Sequence, residues 1–355
     1  MRTPFSPSTH RRSTPSALGA PLGLGTLGLL TLGLGTLWGA ALPAHAGADA
    51  SPKIINGELE EGFPSVFSLG ADIGANRLSI CTANLITPRI LLTAAHCSED
   101  VPLELLVAAG RAFGGPDIND AELILSFSGA TIHEGYVPLA NGPGGTLGEN
   151  DIAVIILAED APVRPTLYRA LPLGEEVVGT DLVSVGYGIT ETGRGEGVKR
   201  SAALKLDELD PTFLIVENGS NPTESNICSG DSGGPQFAEQ DGQWVQWAVH
   251  SWGDQNCEQL SGSTRVDVVT EWIADRIEEV HGTRDQCEAS GWYGDGACDL
   301  GCPAVDPDCL EPEPEEAVEG EEDEAKGGCA AVDRRAPWAA LLSLGLIALA
   351  RRRAP

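Results

Sequence analysis

Between residues 54 and 281, apolar and polar positions alternate over short runs and then break. "SVFSLGADI", "RLSICTANLI", "RILLTAA", "ELILSFSGATI", "DIAVIIL", "DLVSVGYGI" and "WVQWAVHSWG" are β-branched or alternating segments bounded by Gly, Pro, Asn and Asp, as strands joined by turns are. One stretch departs from this period. In "VDVVTEWIADRIEEVHG", Val266, Val269, Trp272, Ile273, Ile277 and Val280 recur at helical spacing, and Gly282 stands where a helix stops. The pattern predicts an all-β body with one C-terminal helix, built as a pair of barrels or a sandwich.

The flanks follow other patterns. Residues 18–42 are uncharged and rich in Leu and Gly, follow Arg2, His10, Arg11 and Arg12, and lead to small residues at Ala44 and Ala46. Residues 1–46 therefore read as a signal peptide. Beyond the body, residues 287–309 hold four cysteines with Asp295, Asp299, Asp306 and Asp308, residues 310–327 form an acidic linker, and residues 328–355 carry an apolar tail. Only 15 uncharged residues separate Arg335 from Arg351 in that tail, fewer than the roughly 20 that span a bilayer.

Charge and cysteine content narrow the class. A net charge of -30 disfavours nucleic acid and anionic membrane surfaces as partners, which leaves the tail as the expected membrane contact. Nine cysteines in an exported chain read as four disulfides and one odd thiol.

Candidate chemistry centres on "CSGDSGGPQF" at 228–237, which packs glycines around one aspartate and two serines. A serine becomes a nucleophile when a base takes its proton and donors await the oxyanion, so a glycine-permitted turn of crowded amides around Ser232 fits that chemistry. Of His96, His133, His250 and His281, position favours His96, in "LLTAAHCSED", where a strand ends in a small-residue turn beside a cysteine. "GENDIAVIIL" places Asp151 just before an apolar run, either as a buried carboxylate beneath an imidazole or as a strand-start turn residue.

"LLTAAHC", "NDIAV" and "CSGDSGGP", in that order, resemble the three signature segments of the trypsin and chymotrypsin type of serine protease. The resemblance implies two six-stranded antiparallel β-barrels with a C-terminal helix over residues 54–281, and a triad of His96, Asp151 and Ser232. It implies an oxyanion hole from the amides of Gly230 and Ser232, with Ser251 behind the aspartate and Trp252 and Gly253 as the wall along which substrate lies. Disulfides Cys81 to Cys97 and Cys228 to Cys257 follow from it, as does activation: residues 47–53 would be a propeptide, cut after Lys53 so that the Ile54 ammonium of "IING" pairs with Asp231. At the pocket floor Asn226 and Ile227 stand where trypsin-like members carry an aspartate, which implies a neutral, apolar P1 residue. Either Ser261 or Gly262 lines the far wall, with Glu258 as a candidate acid.

Residues 287–309 resemble a small Notch-type cysteine and aspartate module standing apart from the body, held by two disulfides. The aspartates bind a calcium ion on one reading and are solvated around a metal-free disulfide knot on the other; no other cofactor or metal is expected. The tail resembles myxobacterial surface-sorting tails, which implies cutting at Cys329 by a sorting enzyme and retention at the cell surface or outer membrane. The functional expectation is an exported serine endopeptidase acting on proteins or peptides and matured by a separate trypsin-like protease. A catalytically idle binding or adhesion protein of the same fold is the alternative.

Overall fold

The computed structural model of the chain describes residues 54, 56–74, 76–138, 148–190, 194–218 and 225–310. The signal segment, Lys53, the acidic linker and the tail with Cys329 lie outside the described residues.

After a two-residue strand β1 (Glu58–Leu59), β2 (Val66–Ile73), β3 (Asn76–Thr87) and β4 (Ile90–Thr93) lead through the short helix α1 (Leu103–Ala109) to β5 (Gly110–Gly114), β6 (Leu123–Ile132) and β7 (Ala153–Leu157). Strands β2 to β7 close into a barrel in the order β2-β3-β4-β7-β6-β5. Its interior gathers Phe67, Leu85, Leu91, Phe127, Ile155 and Leu157, each contributing about 1.5–3 kcal/mol by leaving water. Every residue of β4 is buried. The turn that follows β4 carries His96, so a fully buried strand sets its position.

The second half contains β8 (Leu167–Tyr168), β9 (Asp181–Gly186), β10 (Arg200–Lys205), β11 (Glu208–Leu209), β12 (Phe213–Glu217), β13 (Pro235–Gln240), β14 (Gln243–Gly253) and β15 (Leu260–Arg265). In place of the expected second six-stranded barrel it forms a nine-stranded sheet, ordered β1-β10-β9-β13-β14-β15-β12-β11, with β8 parallel to β14. Six strands, β10 to β12 in that order, form its centre. Only Leu206 and Asp207 separate β10 from β11, so the chain passes directly from one end of the sheet to the other.

The helix read from residues 266–280 begins later, as α2 (Thr270–His281), and ends at Gly282 with φ 76°. Its expected first turn stays tied to the sheet: the Val266 amide donates to the Trp247 carbonyl at 3.0 Å, and Arg265 pairs with Asp267 at 2.6 Å. The apolar face then buries Trp272, Ile273 and Ile277. Among the described residues no helix is long and apolar enough to cross a membrane.

The cysteine-rich segment does not stand apart. It opens with a third helix, α3 (Gln286–Ser290), and its disulfides join Cys287 to Cys302 and Cys298 to Cys309. Cys287 and Trp292 belong to the same core as Leu167, Val245 and Trp247 of the second sheet. The buried Gln286 carboxamide donates to the carbonyls of Ile86 at 2.6 Å and Thr166 at 2.8 Å and accepts from the Tyr168 amide at 3.3 Å. It thus ties β3 of the barrel to β8 of the sheet. Arg164 donates to Asp295 and Asp299 and lies over the Trp292 ring, 4.8 Å from its centroid.

The aspartates that suggested calcium are engaged by protein donors. Asp299 and Asp295 face Arg164, Asp306 accepts from the amides of Asp299 and Asp308, and Asp308 accepts from Gly296.

Candidate active site

Asp151 is 3% exposed and collects three donors. The His96 amide reaches its Oδ1 at 3.0 Å and the His96 ring Nδ1 its Oδ2 at 2.7 Å, while the Ser251 hydroxyl donates to Oδ2 at 2.6 Å. A bulge in β14 produces the last contact: His250 pairs with Ser263 and Trp252 with Gly262, leaving Ser251 as an extra residue turned toward the carboxylate. The arrangement fixes Nδ1 as the protonated ring nitrogen and leaves Nε2 to act as a base. The other three histidines are engaged elsewhere, His250 on the Ser263 hydroxyl, His281 on Thr87 and His133 against Trp272.

Burial of the His96 ring disfavours its charged form, but the hydrogen bond and charge of Asp151, with the charge of Glu99, outweigh that and raise its pKa above 6.5. If neutral His96 is the working base, kcat/KM should fall on acidification through an apparent pKa above 6.5, and Asp151→Asn should move that limb downward. A pH profile of both proteins checks this; an unmoved limb would assign it to another group.

Ser232 sits beside the same turn. Its carbonyl accepts from the Thr82 amide at 2.8 Å and lies 3.6 Å from Cys97 Sγ, in the disulfide with Cys81. Among the described contacts no hydrogen bond joins the Ser232 hydroxyl to His96, and such contacts commonly tighten only when substrate arrives. Gly230 adopts φ 93°, and a Cβ there would lie 2.8 Å from the Gly188 Cα, so only glycine fits the turn. Among the described residues the amides of Gly230 and Ser232 have no protein acceptor, which leaves both free for an incoming oxyanion.

The loop hangs on Asp231, which is fully buried and accepts from the amides of Gly188 and Cys228, each at 2.9 Å. Ile54 is likewise buried, at 1% exposure. Among the described residues the one grouping of possible metal ligands is Cys81, His96 and Cys97, and both sulfurs are in the disulfide.

A pocket of about 240 Å³ beside Ser232 is lined by Ile227, Ser229, Ser251, Trp252, Gly253, Asp254 and Gln255, with the Cys228–Cys257 disulfide in its wall. Ile227 lines it. Asn226 does not: it is fully buried, and its Oδ1 accepts from the Ile227 amide at 2.9 Å. Neither Ser261 nor Gly262 lines the pocket, and the Trp252 indole occupies the space a Gly262 Cβ would need. Asp254, unassigned from sequence, lines the pocket instead of Glu258. Its Oδ1 accepts from the amides of Glu258, Gln259 and Leu260 and its Oδ2 from Asn256, so the carboxylate shapes the short wall. Next to it a second cleft of about 250 Å³ joins His96 and Asp151 to Glu99, Tyr136, Trp252 and Gly253.

The comparisons agree with this geometry. The trypsin family profile matches residues 61–273. Similar proteins include vitamin K-dependent protein C of Oryctolagus cuniculus, 27% identical over 65% of this chain and 54% of its own length. Spermosin of Halocynthia roretzi is 25% identical over 67% of this chain and 66% of its own, and CLIP domain-containing serine protease B10 of Anopheles gambiae is 30% identical over 56% and 61%. The chain thus spans about half to two thirds of the length of these relatives. With the profile covering more than half of its residues, the chain belongs to the trypsin family.

Proposed function

We propose that the protein is a serine endopeptidase using His96, Asp151 and Ser232. The observation that carries this is the chain of contacts from Ser251 through Asp151 to the His96 ring, set beside a serine whose loop presents two unpaired amides. Ser232 Oγ attacks the scissile carbonyl as its proton passes to His96 Nε2, and the charge formed on the carbonyl oxygen is met by the amides of Gly230 and Ser232. Asp151 stabilises the imidazolium. His96 returns the proton to the leaving amine, and a water molecule, deprotonated by His96, then releases the acyl group from Ser232. The testing experiment is labelling with a fluorophosphonate, with the adduct located by mass spectrometry; an adduct absent from Ser232 in a protein cut after Lys53 would count against the reading.

Cleavage after Lys53 frees the Ile54 ammonium for Asp231, and Ile227 in the pocket favours a neutral P1 side chain of moderate size. The carboxylate of Asp254 does not reverse that preference, since four backbone amides already engage it. A lysine ammonium entering this pocket is partly desolvated without a free counter-charge. The enzyme therefore does not mature itself, and a separate trypsin-like protease acts at Lys53. Incubating Ser232→Ala proform with a trace of mature enzyme should yield no Ile54 terminus by mass spectrometry, whereas efficient cutting would show that the pocket accepts lysine. Export by residues 1–46 and retention through the tail at Cys329 complete the proposal, supported by the basic leader, the small residues at Ala44 and Ala46, and the arginine-flanked apolar tail.

A further inference from the structure

Beyond His96 the chain turns back on itself, and the Glu99 amide donates to the Ala95 carbonyl at 3.1 Å. Glu99 therefore rides on the same turn as the His96 imidazole. It is exposed and lines the cleft of about 250 Å³ that also holds His96, Asp151, Tyr136, Trp252 and Gly253. Of the two carboxylates there, Asp151 is buried and committed to His96 and Ser251. Among the described residues Glu99 forms no ion pair, and no Lys or Arg lines the cleft. The chemistry above makes no use of it.

The cleft is a place of negative potential. Its Tyr136 hydroxyl is pushed up first by burial and then by the charges of Asp151, Glu99 and Asp100, and a cleft lined by one sign of charge concentrates the opposite sign. Tyr136 and Trp252 supply aromatic faces, over which a cation is also held. The cleft shares Ser251, Trp252 and Gly253 with the pocket that contains Ile227 and Ser232. A peptide laid along Trp252 and Gly253 as an added strand sends successive side chains to opposite sides. With P1 in the Ile227 pocket, the side chain before it, P2, turns to the side of His96 and Glu99. A lysine or arginine stem covers apolar surface while its charged end stays near water, which suits aromatic walls beside an exposed carboxylate.

We propose that Glu99 is a specificity-determining residue that selects a basic side chain at P2, so that the preferred substrates carry lysine or arginine immediately before a neutral P1 residue. This rests on the serine endopeptidase reading of the same site. Glu99 meets the substrate side chain and not the reacting atoms. The chain's own activation bond does not fit this preference, since Pro52 precedes Lys53 and offers no charge to Glu99.

The test uses the mature enzyme, cut after Lys53, on acetylated tetrapeptide p-nitroanilides that carry lysine, norleucine or glutamate at P2 and are varied across the neutral residues at P1. Assays run at about pH 8.5, where the His96 base is neutral. Wild type should prefer lysine over norleucine by about ten-fold in kcat/KM at about 50 mM salt, the combined scale of an exposed ion pair and a cation over an aromatic face. Glutamate should be the poorest of the three. The preference should shrink to about two- to three-fold at about 1 M salt, where charges are screened beyond about 3 Å. Glu99→Gln should show the reduced ratio at low salt, and Glu99→Lys should favour glutamate over lysine. Ratios are taken within each protein, so an effect of Glu99 on the His96 step common to all peptides cancels, and the salt series on wild type tests the proposal even where a variant does not fold. A wild-type ratio near one, or a ratio unmoved by salt or by Glu99→Gln, overturns the inference alone. A mature wild type that cuts none of the peptides and takes no fluorophosphonate label at Ser232 overturns the endopeptidase reading itself.

Discussion

Ser232→Ala is expected to lower kcat for peptide hydrolysis by about a million-fold, the scale seen when a triad nucleophile is removed, and to abolish fluorophosphonate labelling. The fold should survive. Ser232 is half-buried, and its structural bond is made by the carbonyl, which accepts from the Thr82 amide and is retained in alanine. The melting temperature should therefore move by no more than about 2 °C, the shift of a surface change worth some 0.5 kcal/mol. The residual rate belongs to the oxyanion amides and substrate binding, since these do not depend on the hydroxyl. Turnover at the wild-type rate would show that the nucleophile lies elsewhere.

The candidate catalytic residues were legible because each sits in a local signal. A strand ending at a small-residue turn gave His96, a carboxylate before an apolar run gave Asp151, and a glycine-rich loop gave Ser232. What supports them was hidden because its partners are distant in sequence. Asp254 is an unremarkable residue after "SWG" until four amides from 256 to 260 turn onto it, and only the loop's conformation brings them there. Asn226 was placed at the pocket floor by resemblance, but its own side chain turns back to the Ile227 amide, a local bond open to any asparagine.

The fold was legible to the same depth. The seven segments read as strands all became strands wholly or in part, since alternation and apolar runs report directly on a buried face. Strand β15 escaped because "LSGSTR" has one large apolar residue, yet five of its six residues are buried. Its polar side chains are accommodated by bonds such as His250 to Ser263 and Arg265 to Asp267, so composition resembled a loop. Helix α1 escaped for the opposite reason: "LELLVAA" is apolar, but none of its residues is buried.

Truncation after Arg284 is expected to destabilise the whole protease body, although every triad residue lies upstream of the cut. Losing α3 removes the Gln286 carboxamide, which leaves the carbonyls of Ile86 and Thr166 and the Tyr168 amide without a partner, at about 1–3 kcal/mol for each buried group left unpaired. It also removes Trp292, 3% exposed in the core of the second sheet, where truncating such a ring costs about 3–5 kcal/mol. Arg164 is nearly half exposed, so its ion pairs with Asp295 and Asp299 add little to this. The remainder approaches the whole stability of an ordinary domain, about 5–15 kcal/mol. Thermal unfolding of the truncated protein should begin more than about 10 °C below the full chain, or the protein should fail to accumulate in folded form. Trp292→Ala and Gln286→Ala in the full chain should each reproduce part of the loss with the triad chemistry intact. An unchanged melting temperature on truncation would mean that residues 285–310 are a separate module after all, and that the seam between β3 and β8 holds without Gln286.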